Sequence, residues 1–452
     1  MNGYRAALVA PVGAPPIVDG AVMVEAGRIA WVGRASDAPT STLENLGDVV
    51  ITPGLVNAHT HLDLTCYRGV LVGLDFFAWI RTLTQSVGTL TPEALLDSAR
   101  SGLAEGIAHG ITTFADTAPN TAAFDAMIER GVRGIAYREV FGPDPAVASA
   151  SLAGLEAQVG EMRVRETPLV RVGVSPHAPY SVSDPLFAAV AEFARREGLP
   201  MAIHIAESEA ESQLVSEGAG PFAAFLSGRG IAAVPRAPTP IALLAKARAL
   251  GERTLLIHCV RVNGDDIVTI ARHGCGVAHC PASNAWFGHG TAPAAAMLAD
   301  GVRLGMGTDG LGSNTRMDVL GEAAASLVAQ RTRAKSQAEA DALAAADPLT
   351  LATLGGARAL RMEHEIGTLS VGHAADLAVF DLPAMLDRHH PPSMQSLGHA
   401  LAVAEAKAWG VMVAGQWRRR AGAPDTVDIE LAQRVDTTSA SLKRWRASRT
   451  AG

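Results

Sequence analysis

The chain has 452 residues, 48% hydrophobic and 18% charged, with 45 glycines and 25 prolines, which excludes disordered, collagen-like and disulfide-scaffold classes. That length suggests two or three domains, or one large barrel with an addition. The net charge of -7, from 38 basic and 45 acidic residues, lacks the clustered positive charge that phosphate backbones attract, so no nucleic-acid partner is expected. Cys66, Cys259, Cys275 and Cys280 are too few and too irregular for a disulfide framework and fit a reducing compartment. Pro and Gly interrupt the N-terminal MNGYRAALVAPVGAPPIVDG, and no 18-residue apolar run appears elsewhere. No membrane contact and a cytoplasmic location are therefore expected.

Residues 1–53 read as short strands, with GAVMVEAGRIAWVG alternating apolar and polar positions around a turn at Ala26-Gly27. GTLSVGHAADLAVFDL (367–382) and AWGVMVAGQWRRR (408–420) repeat that pattern, so 1–53 and 363–421 are expected to pair into one small β-sandwich domain. Between them, 54–362 alternates short apolar runs with longer amphipathic stretches, as βα units around a parallel sheet do. Eight strands are expected, at 55–59, 111–116, 134–140, 170–176, 201–206, 254–259, 275–280 and 302–309. Stretches such as 92–110 and 185–198 carry apolar residues at helical spacing and close on a glycine. Eight such units favour an α/β fold of the (β/α)8 TIM-barrel type over an open sheet. The last segment, 422–452, is poor in apolar residues and holds KRWRASR near its end; it is expected to be a helix running into a loose tail.

Polar side chains gather where a barrel does its chemistry, at the C-terminal ends of the strands: His59, His61, His204, His258 and Asp309. His59 and His61, two apart on an extended strand, share a face and can bind one ion. With His204 from strand five and Asp309 from strand eight they make three imidazoles and a carboxylate, a ligand set suited to Zn²⁺, Fe²⁺ or another borderline divalent ion. Gly305, Gly307 and Gly310 spell G-x-G-x-x-G, but the stretch around 330, VAQRTRAKSQ, supplies no acidic residue for a dinucleotide site. These glycines let the chain turn tightly around Asp309. Cys275 and Cys280 lack a second pair at finger spacing and are expected to be reduced and buried.

The strings PGLVNAHTHLD (53–63), SPHAPYSVS (175–183), HIAES (204–208), IHC (257–259), HCPASN (279–284) and GMGTDG (305–310) resemble the amidohydrolase superfamily. Within it they are similar to the group of cytosine deaminases, chlorohydrolases and S-adenosylhomocysteine deaminases. The resemblance runs over nearly the whole chain, the flanking β segments included. It implies metal ligation by His59, His61, His204 and Asp309, proton transfer by Glu207, and a contact from His258 to the water that the metal activates. A divalent ion brings the pKa of such a water to around 7, Glu207 can move its proton to a ring nitrogen, and His258 can stabilise the developing oxyanion. Asp309 can also accept a proton as ammonia departs. Two-metal members bridge their ions with a carbamylated lysine on strand four; the first lysine here is Lys246, which implies a single ion, zinc first and ferrous iron second.

Glutamate at 207 favours deamination over dechlorination, because an aminated ring needs an acid at its nitrogen. His177 resembles a substrate-contacting histidine of the family, and His279 and Asn284 are expected behind the site. DFFAWIRTL (75–83) is expected to fold over it, with Trp79 and Phe76 stacking on a heteroaromatic ring and Arg81 and Arg138 meeting a substrate carboxylate or ribose. The implied activity is a mononuclear metal-dependent aminohydrolase that turns an exocyclic amine of a purine-like nucleoside into a carbonyl. HTHLDLTCYRGV, FFAWIR and YREVFG look most like the aminodeoxyfutalosine deaminases of menaquinone synthesis. Deamination of S-adenosylhomocysteine or methylthioadenosine, and ring-opening or dechlorinating hydrolysis, stay open. A homodimer is implied by the same resemblance.

Overall fold

Five strands open the chain: β1 (Asn2–Val9), β2 (Ile17–Glu25), β3 (Arg28–Arg34), β4 (Glu44–Asn45) and β5 (Val49–Pro53). Eight more follow as β6 (Leu55–Thr60), β7 (Ile111–Ala118), β8 (Arg133–Val140), β9 (Val170–Pro176), β10 (Met201–Ile205), β11 (Thr254–His258), β12 (Gly276–His279) and β13 (Arg303–Met306). The last three are β14 (Leu377–Asp381), β15 (Ala408–Val413) and β16 (Gln416–Arg420). The computed structural model describes all residues except 41, 335, 338–346, 387–391, 422–425 and 451–452.

β6 to β13 run side by side in sequence order with parallel pairing throughout, the barrel that the eight apolar runs predict. On β8 the alternation is plain. Ile135 and Tyr137 join the barrel's inner cluster with Ala202, Leu255 and Ile257, while Ala136 and Val140 pack outward among helix residues such as Leu155, Leu186 and Val190. Helices between the strands are set by their ends: Thr91 caps Pro92–Ala108 by accepting from the Ala94 N–H, and Gly198, at φ 67°, closes Asp184–Glu197 in a conformation that favours glycine. β6 and β13 lie at the two ends of the sheet path. They meet through a bridge between Thr60 and Asp309 and through the Asn57 amide, which donates to Thr308 Oγ1 at 2.7 Å.

β1 to β5 and β14 to β16 form one sheet of order β16-β15-β14-β5-β1-β2-β3, with β4 beside β1. It folds over on itself. Tyr4 of β1 meets Trp417 of β16 edge-on at 5.5 Å, although three strands separate them in the sheet order. Both layers of the expected sandwich therefore come from a single sheet, closed around Val22, Val24, Ile51, Val379 and Met412.

The expected loose tail is instead helix: Thr426–Thr450 is continuous, while 422–425 and 451–452 of that segment lie outside the described residues. Leu431, Val435 and Leu442 bury against Cys66, Tyr67, Val70 and Leu71. Arg434 pairs with Asp97 at 2.6 Å, and Ser439 donates to the Cys66 carbonyl at 2.6 Å. A few apolar residues suffice here because polar ones find partners on the barrel. Among the described residues no helix is long and apolar enough to cross a membrane.

Candidate active site

His59 ends β6 with Thr60 after it, His61 stands one residue beyond, His204 lies on β10, and Asp309 follows β13. The structure brings all four together: His59 Nε2 lies 3.3 Å and His61 Nε2 3.5 Å from Asp309 Oδ1, and the Nε2 atoms of His61 and His204 are 3.3 Å apart. Each ring is oriented from behind. His61 Nδ1 faces the Thr117 carbonyl at 2.7 Å and His204 Nδ1 the His177 carbonyl at 3.3 Å, so each Nδ1–H donates and each Nε2 lone pair points at the shared space. Asp309 Oδ2 accepts from Ser283 Oγ at 2.6 Å and from Ser313 Oγ at 3.2 Å. Asp309 itself sits at φ 59°, a turn out of the strand that re-aims its carboxylate.

This donor set fits a divalent ion. Among the described residues neither ring nitrogen of the fully buried His59 has a hydrogen-bond partner, an arrangement that costs its desolvation unless something else satisfies it. Three imidazoles and one carboxylate are borderline-ion ligands. Burial lowers the pKa of His59, with Asp309 pulling the other way, and burial followed by the neighbouring rings takes His204 well down. Burial resists ionisation of Asp309, yet His59, His61 and His258 hold its carboxyl well below the usual range. Burial thus favours neutral rings at His59 and His204, whereas at His61 burial is outweighed by Asp309 and then Glu139, which raise its pKa, so an ion bound there displaces a proton.

Glu207 is 4% exposed, and its own N–H and that of Ala206 donate to the Glu211 carboxylate at 3.0 and 2.7 Å. Burial first, then Asp309 and Glu211, pushes its pKa well up. Two histidines flank it, His258 Nε2 and His289 Nε2, each 3.6 Å from Glu207 Oε1. Burial takes His258 down to about 3 and His289 to about 4. Asn284 serves both: its side-chain oxygen faces His258 Nδ1 at 3.0 Å, and its carbonyl accepts the His289 N–H at 2.9 Å. His279 is buried with neither ring nitrogen bonded among the described residues.

His289 escaped the sequence reading, although its signal is local. It lies between Gly288 at φ 66° and Gly290 at φ 106°, backbone angles that favour glycine and that turn the ring inward. Glu139 was missed as well. It is 7% exposed, its Oε1 is unpartnered among the described residues, it lies 4.0 Å from His204 Nδ1, and burial lifts its pKa to about 7.

His177 stands where expected, its ring 4.8 Å from that of His204 and its Nδ1 2.7 Å from Ser181 Oγ. Arg138, Arg81 and Trp79, expected to meet the substrate, lie in three different settings. Arg138 is on the outward face of β8, where its Nε–H donates to Gln158 at 2.9 Å, because strand alternation sends Glu139 inward and its neighbour out. Arg81 is exposed on the helix Phe76–Val87 and makes no ion pair among the described residues. The Trp79 indole N–H donates to the Gly312 carbonyl at 3.1 Å, and its ring lies against Phe287 at 5.1 Å. Phe76 stands edge-on to His289 at 4.5 Å.

The Amidohydrolase family model matches residues 50–418. A 5-methylthioadenosine/S-adenosylhomocysteine deaminase from Moorella thermoacetica is 31% identical over 431 residues, covering 93% of this chain and 95% of that one. A zinc-bound adenosine deaminase from Xanthomonas campestris superposes with TM-score 0.79 at 26% identity, over 98% of each chain. An aminofutalosine deaminase from Helicobacter pylori, in complex with methylthio-coformycin, shares the fold with TM-score 0.79 at 18% identity, over 92% of this chain and all of that one (100%). The eight-stranded barrel, the folded-over sheet and the rim of histidines belong to one lineage: this chain is a member of the amidohydrolase family.

Proposed function

We propose that this protein is a mononuclear zinc-dependent deaminase of adenine-type nucleosides, releasing ammonia from the exocyclic amine of the ring. The observation that carries the reading is Glu207, a buried carboxyl whose pKa is held well up, beside His59, His61 and Asp309, whose ligand atoms lie within 4.8 Å of one another, and His204, whose Nε2 is 3.3 Å from that of His61. His59, His61, His204 and Asp309 would hold the metal, which would supply Lewis acidity sufficient to bring a water's pKa to around 7. Glu207, whose pKa burial and then Asp309 push up, is suited to deliver a proton to a ring nitrogen, the step an amidine needs before its amine can leave. His258, neutral and oriented by Asn284, stabilises charge that develops at the attacked carbon's oxygen. His177, 4.8 Å from His204, contacts the face or edge of the ring.

Among substrates, 5′-methylthioadenosine and S-adenosylhomocysteine come first, because the relative named for them is 31% identical over 93% of this chain. 6-Amino-6-deoxyfutalosine comes second. Its case leaned on Arg138 and Arg81 meeting a carboxylate, and the first faces outward while the second is exposed. The test is ammonia release by protein carrying one equivalent of zinc, with these three nucleosides, adenosine, cytosine and guanine in parallel. Preferential turnover of the 5′-thio nucleosides, lost about 10²-fold or more in E207Q, supports the reading. No ammonia from any of the six would overturn it and direct the next assays to lactams.

A further inference from the structure

His289 touches the acid and is held by three separate contacts. Its ring is 6% exposed and its Nε2 has no hydrogen-bond partner among the described residues, yet that atom lies 3.6 Å from Glu207 Oε1. The backbone is pinned through the Asn284 carbonyl at 2.9 Å. The ring is set by Phe76, edge-on at 4.5 Å and 88°, and by Phe287 at 5.4 Å. Phe76 opens the helix Phe76–Val87, which Asp75 caps by accepting from the Phe77 and Ala78 N–H groups and which covers the site through Phe77 on Phe222 at 4.9 Å. His258 and His289 thus converge on the same oxygen of Glu207, and only His289 is in contact with the covering helix.

We propose that His289 is a positioning residue for Glu207 and that Phe76 sets it in place, so that seating of the covering helix is felt at the proton-transferring carboxyl. An edge-on aromatic fixes the imidazole plane. A fixed ring, its Nε2 3.6 Å from Oε1, walls that side of the carboxyl and leaves Oε2 to face the substrate. Displacement of Phe76 releases the ring, and Glu207 then samples orientations from which no proton reaches the ring nitrogen. The kinetic side of this inference rests on the deaminase reading; the contact itself does not.

The zinc-loaded full chain tests both parts. H289F keeps an aromatic ring against Phe76 and removes the nitrogens; it is expected to lower kcat about 10- to 100-fold with KM within about 3-fold. H289Q, whose amide can still reach Glu207, should recover most of that loss. F76A should also lower kcat more than KM, and F76A/H289F should be no slower than H289F alone, because the two act through one contact. Wild-type kcat in H289F, no recovery in H289Q, or losses that multiply in the double variant would each overturn the proposal. Melting temperatures of wild type, E207Q, H289F and E207Q/H289F give a readout that needs no substrate. Non-additive shifts support the contact, and if no nucleoside is deaminated the same result leaves the contact standing and sinks the deaminase reading. Additive shifts overturn the contact whatever the activity.

Discussion

At the foot of β8, Arg133 is 2% exposed and its guanidinium is bonded at 2.7 Å to Glu365 and at 2.7 and 3.3 Å to Asp376. Near the head of the same strand Glu139 is nearly as buried, with one oxygen unbonded, and close by His59 has neither nitrogen bonded among the described residues. Both ends take polar groups out of water, a cost that hydrogen bonds and opposite charges offset at the foot. At the head the offset has to come from a ligand. The foot therefore ties the barrel to the folded-over sheet, to which Asp376 leads at β14, while the head is kept incomplete for chemistry.

Four experiments press on that contrast, and the largest effect is expected at the head. H59L should lose stoichiometric zinc by metal analysis, with ammonia release down at least about 10³-fold. Its metal-free form should unfold no earlier than metal-free wild type, since an unbonded buried imidazole gives way to an apolar side chain. A large stability loss there would make His59 an ordinary core residue. At the foot, R133M should cost about 3 to 5 kcal/mol in urea unfolding, because it strands the buried Asp376 carboxylate, while zinc bound per folded chain stays the same; an unchanged midpoint would erase the contrast.

Titration gives a smaller effect. Burial raises Glu322 to about 8 and Glu211 to about 7, so each keeps its proton in the fold and loses it on unfolding near an ordinary carboxyl pKa of about 4.3. The folded state then binds more protons, and stability is greatest below the unfolded pKa and declines as pH rises toward 8. E322Q should flatten that decline between pH 5 and 8; a slope equal to that of wild type would remove Glu322 as a cause. The smallest effect is expected for R138A, whose side chain faces the helix layer: KM unchanged and stability within about 1 kcal/mol. A several-fold rise in KM would return Arg138 to the substrate.

The barrel was legible because each buried parallel strand is a short apolar run and each helix carries its own stop, as Gly198 does. The convergence of His59, His61, His204 and Asp309 was legible because those residues stand at or just past strand ends. What sequence pattern misjudged were choices between neighbours. In YREVFG the inward residue is Glu139, a parity that Ile135 and Tyr137 already set; in DFFAWIRTL both Phe76 and Trp79 were expected at the site, and it is Phe76 that meets His289. His289 needed its glycines read as backbone geometry. The final helix has little apolar periodicity of its own, since its stability comes from Asp97, Cys66 and other groups distant in sequence.

The seam between β6 and β13 bears on how the molecule assembles. Residues 57 to 61 and 308 to 309 meet there through the Thr60–Asp309 bridge, the Asn57 amide, which donates to Thr308 Oγ1 and accepts from the Thr308 N–H at 3.1 Å, the Asp309 N–H to the His59 carbonyl at 3.1 Å, and the approach of His59 and His61 to the Asp309 carboxylate, across roughly the full length of the barrel segment. Closing so long a loop is entropically costly and is rewarded only at the end. An ion that joins His59 and His61 to Asp309 spans that same seam, so it can be captured only by a chain whose first and last barrel strands have already found each other. Zinc would then act as a late clasp on folding, and its removal should be recorded first as faster amide hydrogen exchange along β6 and β13, with the interior strands β8 to β11 still protected.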